Sequence, residues 1–527
     1  MSDEKSNLSR RGFLGAGGAI MGGLALTQLP LDGAAPKGGT VVDSTMPRKW
    51  DETFDVVIVG SGFAGLAAAY EAKKAGASVV VLEKMPTAGG NSIINGGIVS
   101  AAGSPLQARM GIKDSPELMA KDMMVAGLGL NHPDLVKLIS EKSTETVLWT
   151  ISELGVKYLD NELVQEGGHT VKRSYKTYNS SGSAIVLPQL AKLKALGVEP
   201  RLETFVTRIY RDKDGRVKGL QIREGYEFPK ADSGKLKTIR ARKGVVLAHG
   251  GFGQDVAYRM IQDPKLTAKV ESTNQPGATA EMWREASRIG CNIIQGDWIQ
   301  VGPWASPDEK GFGLAPHFAQ EAASMYGIWL DATTGKRFID ELANRKIRAD
   351  AIMMLMNQGH KCIAFADAKA VSRLTPGVLD KLQKSGVVKA YNTLEAVADA
   401  YGMPRAAFLE TVAKYNTNIR NSDPKNPKDD IKVSTRLPEG TVPLETAPFY
   451  VSRLLPKVHH CMGGIYTNTA AQAMDVSTDK PIEGLYAAGE ATGGVHGAVR
   501  LGSCAVIDCL VMGRAAGSNA AKAKAWG

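Results

Sequence analysis

The sequence predicts an α/β fold: a discontinuous, Rossmann-like dinucleotide-binding domain with an inserted α+β capping domain. Three observations carry this. Residues 54–59 (FDVVIV) form a short β-branched run that leads straight into Gly60-Ser61-Gly62-Phe63-Ala64-Gly65. An Ala-rich stretch at 66–75 follows, then a second apolar run at 78–82 that ends on Glu83. Far downstream, residues 244–251 (GVVLAHGG) and 484–490 (GLYAAGE) are further strand-like runs ending in glycine, so one binding unit is split by an intervening segment.

Each element has a physical reason. A continuous β-branched run without alternation suits a parallel strand buried on both faces. Gly60 permits the tight turn, Gly62 lets the backbone approach a pyrophosphate, and Gly65 lets the helix pack on the strand. The helix N-terminus then faces the phosphates. Gly76 ends that helix, and Glu83 sits where a carboxylate accepts ribose hydroxyls. Gly89-Gly90-Asn91-Ser92 and Gly96-Gly97 allow close backbone approach just beyond the acidic residue. The intervening stretch has helical segments of its own at 347–356 and 394–401, hence the inserted α+β layer.

Composition bounds the rest. At 527 residues, 43% hydrophobic and 22% charged, the chain has room for two or three domains. Its formal charge of +10 is spread along the sequence with no interleaved basic and aromatic residues, which excludes a nucleic-acid surface. A basic surface of this kind steers anionic substrates or an acidic redox partner. Five cysteines (Cys291, Cys362, Cys461, Cys504, Cys509) include no C-x-x-C and no haem-attachment motif, and the odd count argues against a disulfide framework. No metal-ligand spacing is present, and the adjacent His459 and His460 suit one metal ion poorly. At the N-terminus, Ser9-Arg10-Arg11-Gly12-Phe13-Leu14 precedes a Gly/Ala/Leu-rich run. This reads as a twin-arginine export signal over residues 1–36 and predicts a periplasmic location. The apolar run falls short of the ~20 strongly apolar residues of a spanning helix, so no stable membrane anchor is expected.

Five stretches together resemble the flavoprotein subunits of fumarate reductase and succinate dehydrogenase. They are GSGFAG at 60–65, GGNS at 89–92, LAHGG at 247–251, VHHCMGG at 458–464 and GLYAAGEATGGVHGAVRLGSCAV at 484–506. The nearest branch is the soluble periplasmic one, with flavocytochrome c fumarate reductases and urocanate or methacrylate reductases. The resemblance spans roughly residues 50–525. It implies an FAD-binding domain over 50–296 and 461–527 and a capping domain over 297–460. FAD contacts are implied at Gly62, Ala64, Gly65, Glu83, Lys84, Gly90, Asn91, Ser92, Gly96, Gly97, Val206, Ala248, Gly250, Glu490, Arg500, Ala505 and Val506. Asn91 stands where covalent members carry a histidine, so FAD is expected to be held non-covalently. Cys504, Ala505 and Val506 open the last helix, whose N–H groups stabilise negative charge on the pyrimidine end of the flavin.

The activity implied is addition of two electrons and two protons across a C=C bond beside a carboxylate, with hydride from flavin N5 and a proton from Arg345. His460 and Arg500 resemble the clamp on that carboxylate, where Arg contributes a bidentate fork and cations stabilise the developing charge. Arg345 follows Gly335-Lys336-Arg337-Phe338 as the family's proton donor does, and Glu321 matches its relay carboxylate. Read alone, Arg345 is a helix-surface charge.

Three positions depart from the fumarate reductases: Gly302 replaces a histidine at the second carboxylate, Gln320 replaces a threonine, and Ser324 replaces a second relay arginine. A dicarboxylate would leave a buried charge without partners, a costly arrangement. Trp298 and Trp304 flank Gly302. The substrate expected is a monocarboxylate 2-enoate with an aromatic or apolar tail (urocanate-, cinnamate- or methacrylate-like), bound by His460, Arg500, Gln320, Trp304 and Gly302. Electrons are expected from a separate donor, a c-type cytochrome. The alternatives are a fumarate reductase, a 3-ketosteroid-type dehydrogenase, which needs tyrosines for enolisation, and a non-catalytic electron-transfer flavoprotein.

Overall fold

The computed structural model describes residues 46–311, 313–421, 437–438 and 440–527; the twin-arginine segment lies outside them. The strand Glu52–Val59 runs parallel to Val79–Leu82 on one side and to Lys235–Leu247 on the other. Lys235–Leu247 in turn pairs in parallel with Pro481–Ala487. An antiparallel pair, Thr204–Arg211 and Val217–Glu224, joins the far end of the long strand. The expected discontinuity is thus built into one seven-stranded sheet.

The β-branched runs are apolar throughout because both faces are covered. Val56 and Ile58 face one core with the helices Phe63–Lys74 and Cys504–Lys522. Val57 and Val59 face the other, with Val206, Leu220 and Ile222. This is the period-2 alternation of a strand with two buried faces. The two helices touch through small residues: a Cβ on Gly513 would strike the Ala64 carbonyl, and one on Gly517 the Ala68 carbonyl.

Between Leu247 and Gln472 the chain leaves this sheet. It builds a five-stranded antiparallel sheet from Ile328–Asp331, Lys336–Arg337, Cys362–Ala366, Lys389–Tyr391 and Phe449–Leu454. Helices including Arg345–Asn357 and Arg405–Asn421 accompany it. Its cores are its own, one around Phe318, Trp329 and Ile352 and one around Phe365, Phe408 and Val451. Where the chain goes out and returns, Ile299–Gly302 pairs with Lys457–Cys461, with Gln300 opposite His460. That ribbon brings Gly302 and the two histidines to one place.

A third sheet (Ile98–Ser100, Ser174–Thr177, Tyr158–Val164) carries the loop 165–173. Fully buried Arg173 ties that loop down, bonding Asp114 at 2.9 Å and Asp122 at 2.6 Å. His169 adds a 2.8 Å bond between its Nε2 and the carbonyl of Gly502, beside the closing helix. Among the described residues, no helix is long and apolar enough to cross a membrane.

Candidate active site

The first glycine turn opens onto a long cleft. Gly60 has φ +105°, and a Cβ there would collide with the Ala248 carbonyl, so no other residue fits. Glu83 ends its strand buried, accepting from the Ser61 N–H at 3.2 Å, the Ser61 hydroxyl at 2.6 Å and the Met85 N–H at 3.0 Å. The second glycine segment is tied to the first turn, since Ser92 Oγ accepts from the Phe63 N–H at 2.9 Å. Asn91 Oδ1 accepts from the Gln275 N–H at 2.7 Å. Gly62, Ala64, Glu83, Lys84, Gly90, Asn91, Ser92, Val206, Ala248, Gly250 and Glu490 all line this cleft.

Three of the glycines expected there do not line it. Gly65 packs the helix under its strand, where a Cβ would strike the Gly60 carbonyl. Gly96 and Gly97 lie outside both cavities. A Cβ on Gly97 would meet Thr177 Oγ1 and the Ser181 backbone, so this glycine serves backbone packing. His249 was missed, although it sits inside the LAHGG run. Its ring nitrogens are buried without partners. Burial, and then the charge of Lys84, hold its pKa down at about 3.

The cleft continues into a second cavity lined by Asn91, Thr273, His459, His460, Glu490, Arg500, Ala505 and Val506. Glu490 accepts from the Cys461 N–H at 3.0 Å and lies 3.4 Å from His460 Nδ1. Burial pushes its carboxyl up to about 7. Burial, and then Arg500, keep His460 well below the usual imidazole range. His460 Nε2 and Arg500 Nε are both buried without partners. Burial and the nearby charge of Arg345 bring Arg500 down to about 10.

Arg345 opens its helix, whose first turn is capped by Asn344 Oδ1 accepting from the Ile347 N–H at 3.0 Å. Its guanidinium lies 4.8 Å from the Trp304 ring and 3.8 Å from Glu166. Burial lowers its pKa.

The surroundings of Gly302 differ from expectation. A Cβ there would rest 3.5 Å from Trp304 and 3.6 Å from His459. Buried Trp304 also packs edge-on against His459 at 5.7 Å. The room expected at Gly302 is therefore filled by the indole itself, with Arg345 over its face. Half-buried Trp298 uses its carbonyl to accept from the Met462 N–H.

Glu321 is not brought to Arg345. It is 44% exposed and bonds His317 Nδ1 at 2.9 Å. Gln320, on the same helix (His317–Ser324), lines neither cavity. Ser324 gives its hydroxyl to the Ala319 carbonyl at 2.7 Å, and buried Arg348 reaches it at 3.4 Å. Arg348 and Glu166 are the two charged neighbours that sequence reasoning missed.

The model of the family described as "FAD binding domain" matches residues 55–506. The chain belongs to that family. It is 41% identical to the acrylate reductase flavoprotein subunit of Shewanella woodyi over 524 residues, 97% of this chain and 98% of that one. It is 33% identical to a urocanate reductase of Eggerthella lenta, over 89% of this chain and 74% of that one. Among solved structures, an open flavocytochrome c3 fumarate reductase is similar with a TM-score of 0.74 and 32% identity, over 90% of this chain and 79% of that one. The protein is an FAD-dependent oxidoreductase of the enoate reductase type, and its fold is the expected FAD-binding domain with an inserted cap.

The residues present fit FAD. Gly250 faces open space at φ +82°. The unpartnered nitrogens of His249 lie along the cleft. Ser503 provides no side-chain cap to the closing helix, leaving the first-turn N–H groups of Ala505 and Val506 for an anionic ring edge.

Proposed function

We propose that the protein reduces the C=C bond of a small 2-enoate monocarboxylate of the acrylate class. The observation that carries this reading is Trp304 filling the place beside Gly302, next to a cavity that holds Arg500 and His460. FAD, when bound, supplies the hydride. Asn91 offers no nucleophile for a covalent link, so FAD is held non-covalently. Arg500 presents its fork to the substrate carboxylate, and His460 offers its unpartnered Nε2 to the same group. Both stabilise the charge that grows on the carboxylate as the β-carbon accepts hydride. Arg345 gives the α-carbon its proton. A second carboxylate, as in fumarate, would meet the indole instead of a histidine, and a bulky aromatic tail would compete with the indole for the same space. The similarity to an acrylate reductase flavoprotein subunit and a urocanate reductase supports the monocarboxylate class.

An anaerobic assay following oxidation of reduced methyl viologen tests this. Acrylate and methacrylate are expected to turn over at least about tenfold faster in kcat/KM than fumarate, urocanate or cinnamate. That ratio corresponds to roughly 1.4 kcal/mol of transition-state discrimination, within the range a pocket's shape supplies. Fumarate as the best substrate would sink the reading.

The Shewanella woodyi relative is named as a flavoprotein subunit. A separate donor, for which we propose a c-type cytochrome, accordingly supplies the electrons here. Export through Arg10-Arg11 belongs to the same reading. Amino-terminal sequencing of protein from the periplasmic fraction is expected to give a start near Ala35; a start at residue 1 or 2 would exclude cleavage.

A further inference from the structure

The route by which Arg345 regains its proton does not pass through Glu321, which is exposed and committed to His317. Ser324 offers only a hydroxyl already given to a carbonyl. Among the described residues, one carboxylate lies within ion-pair distance of Arg345. It belongs to Glu166, in the loop after the strand Tyr158–Val164.

We infer that Glu166 is the carboxylate that returns the proton to Arg345 after each turnover, an inference that rests on the enoate reductase reading above. Four observations carry it. Glu166 Oε2 stands 3.8 Å from Arg345 Nη2, with the two side chains 13% and 12% exposed. That separation is closed by one water molecule or a small rotation. The loop that carries it is held from several sides. The Glu166 carbonyl accepts from the His169 N–H at 3.2 Å, and His169 Nε2 bonds the Gly502 carbonyl. Arg173 anchors the loop's end on Asp114 and Asp122. Gly502 makes room, because a Cβ there would run into the Glu166 carboxylate, and Gly168, at φ +94°, packs on Leu501 in the same way. The loop therefore sits on the residues that follow Arg500. Finally, its neighbours Gln165, Gly167 and Gly168 are exposed and the Glu166 side chain itself is not fully buried, so the loop carries the carboxylate close to the protein surface.

The chemistry balances. The enoate gains hydride at its β-carbon from the cofactor and a proton at its α-carbon from Arg345, which becomes a neutral guanidine. Protonated Glu166 then gives its O–H proton to that guanidine and becomes a carboxylate, and solvent reprotonates it. A carboxylic acid is a far stronger acid than a guanidinium, so the return step runs downhill.

The test uses the full FAD-loaded enzyme with the best enoate from the viologen screen. Glu166→Gln is expected to lower steady-state kcat by roughly 10²-fold, the lower end of acid–base contributions. Its KM should stay within about threefold, and the limb on which kcat falls with rising pH should disappear, since that limb follows loss of the donor's proton. In stopped flow, pre-reduced Glu166→Gln should complete its first turnover at the wild-type rate, since Arg345 starts protonated, and slow only thereafter. Glu166→Asp should recover part of the steady-state rate, and Glu321→Gln should behave as wild type. Three results would overturn the inference: wild-type kcat and pH profile in Glu166→Gln, an equal loss in the first and later turnovers, or a loss that appears in Glu321→Gln instead. If Glu166→Gln does not fold, Glu166→Asp decides: a shorter acid must slow later turnovers and spare the first. Wild-type enzyme that reduces no enoate would fail the proposed function, a separate result from any of these.

Discussion

Arg345→Ala is expected to lower steady-state reduction of the preferred enoate by about 10²- to 10⁴-fold, the span attributed to a positioned acid, with FAD retained. The prediction separates chemistry from architecture. Arg345 is a first-turn residue whose helix is capped by Asn344, so truncating its side chain leaves the cap intact. It does not line the FAD cleft. Its contacts include the Trp304 face and Glu166, whose side chain is not fully buried. The visible spectrum of the purified variant should therefore match wild type while the viologen-linked rate collapses. Arg345→Lys should recover little, because an ammonium lacks the planar fork that spreads over the indole and reaches two directions at once. A variant with the wild-type rate would show that another group supplies the proton.

Arg173→Met is expected to destabilise the protein by about 3–5 kcal/mol, the range for removing one partner of a buried ion pair. Arg173 is fully buried and serves two carboxylates. Its Nε and Nη2 bond Asp114 at 2.9 and 3.0 Å, and its Nη1 bonds Asp122 at 2.6 Å. Methionine fills much of the volume but leaves both acids unpaired in the interior. Adding Asp114→Asn and Asp122→Asn to the same chain should recover a large part of the loss, since the residual cost is that of uncompensated charge. Urea unfolding followed by far-UV circular dichroism would measure both. A stable single variant would mean that water reaches the pair.

The FAD-binding half was legible because its physics is local. The β-branched runs at 54–59 and 78–82, the three glycines of 60–65 and Glu83 each do what their own neighbourhood requires, and the structure pairs the runs in parallel. Gly97 misled for the opposite reason: a glycine freed for close approach looks the same whether it approaches a ligand or, as here, Thr177. The charged surroundings of Arg345 were hidden for two further reasons. Glu166 comes from a different sheet and reaches Arg345 only through folding. Glu321 sits in a helix bonded i to i+5, whose faces do not follow the 3.6-residue period, and the position carried over from the resemblance turns outward. Gly302 was legible as an opening but not as one that Trp304 would fill, because the indole packs back from two residues along the same chain.

The contact of Gly513 and Gly517 with Ala64 and Ala68 has a consequence for how this molecule is made. The helix that begins at Phe63 is synthesised early, yet the helix that covers it begins at Cys504 and is the last of the described elements to leave the ribosome. At about 5–20 residues per second the early helix waits roughly 20–90 s for its partner. During that wait its apolar face is open to chaperones. The N–H groups of Ala505 and Val506 arrive with the late helix, so the flavin site is finished only once that helix has been made. A chain cut before Cys504 should therefore leave the cell's quality control a substrate rather than a partly active enzyme, because it lacks both the cover for the early helix and these N–H groups.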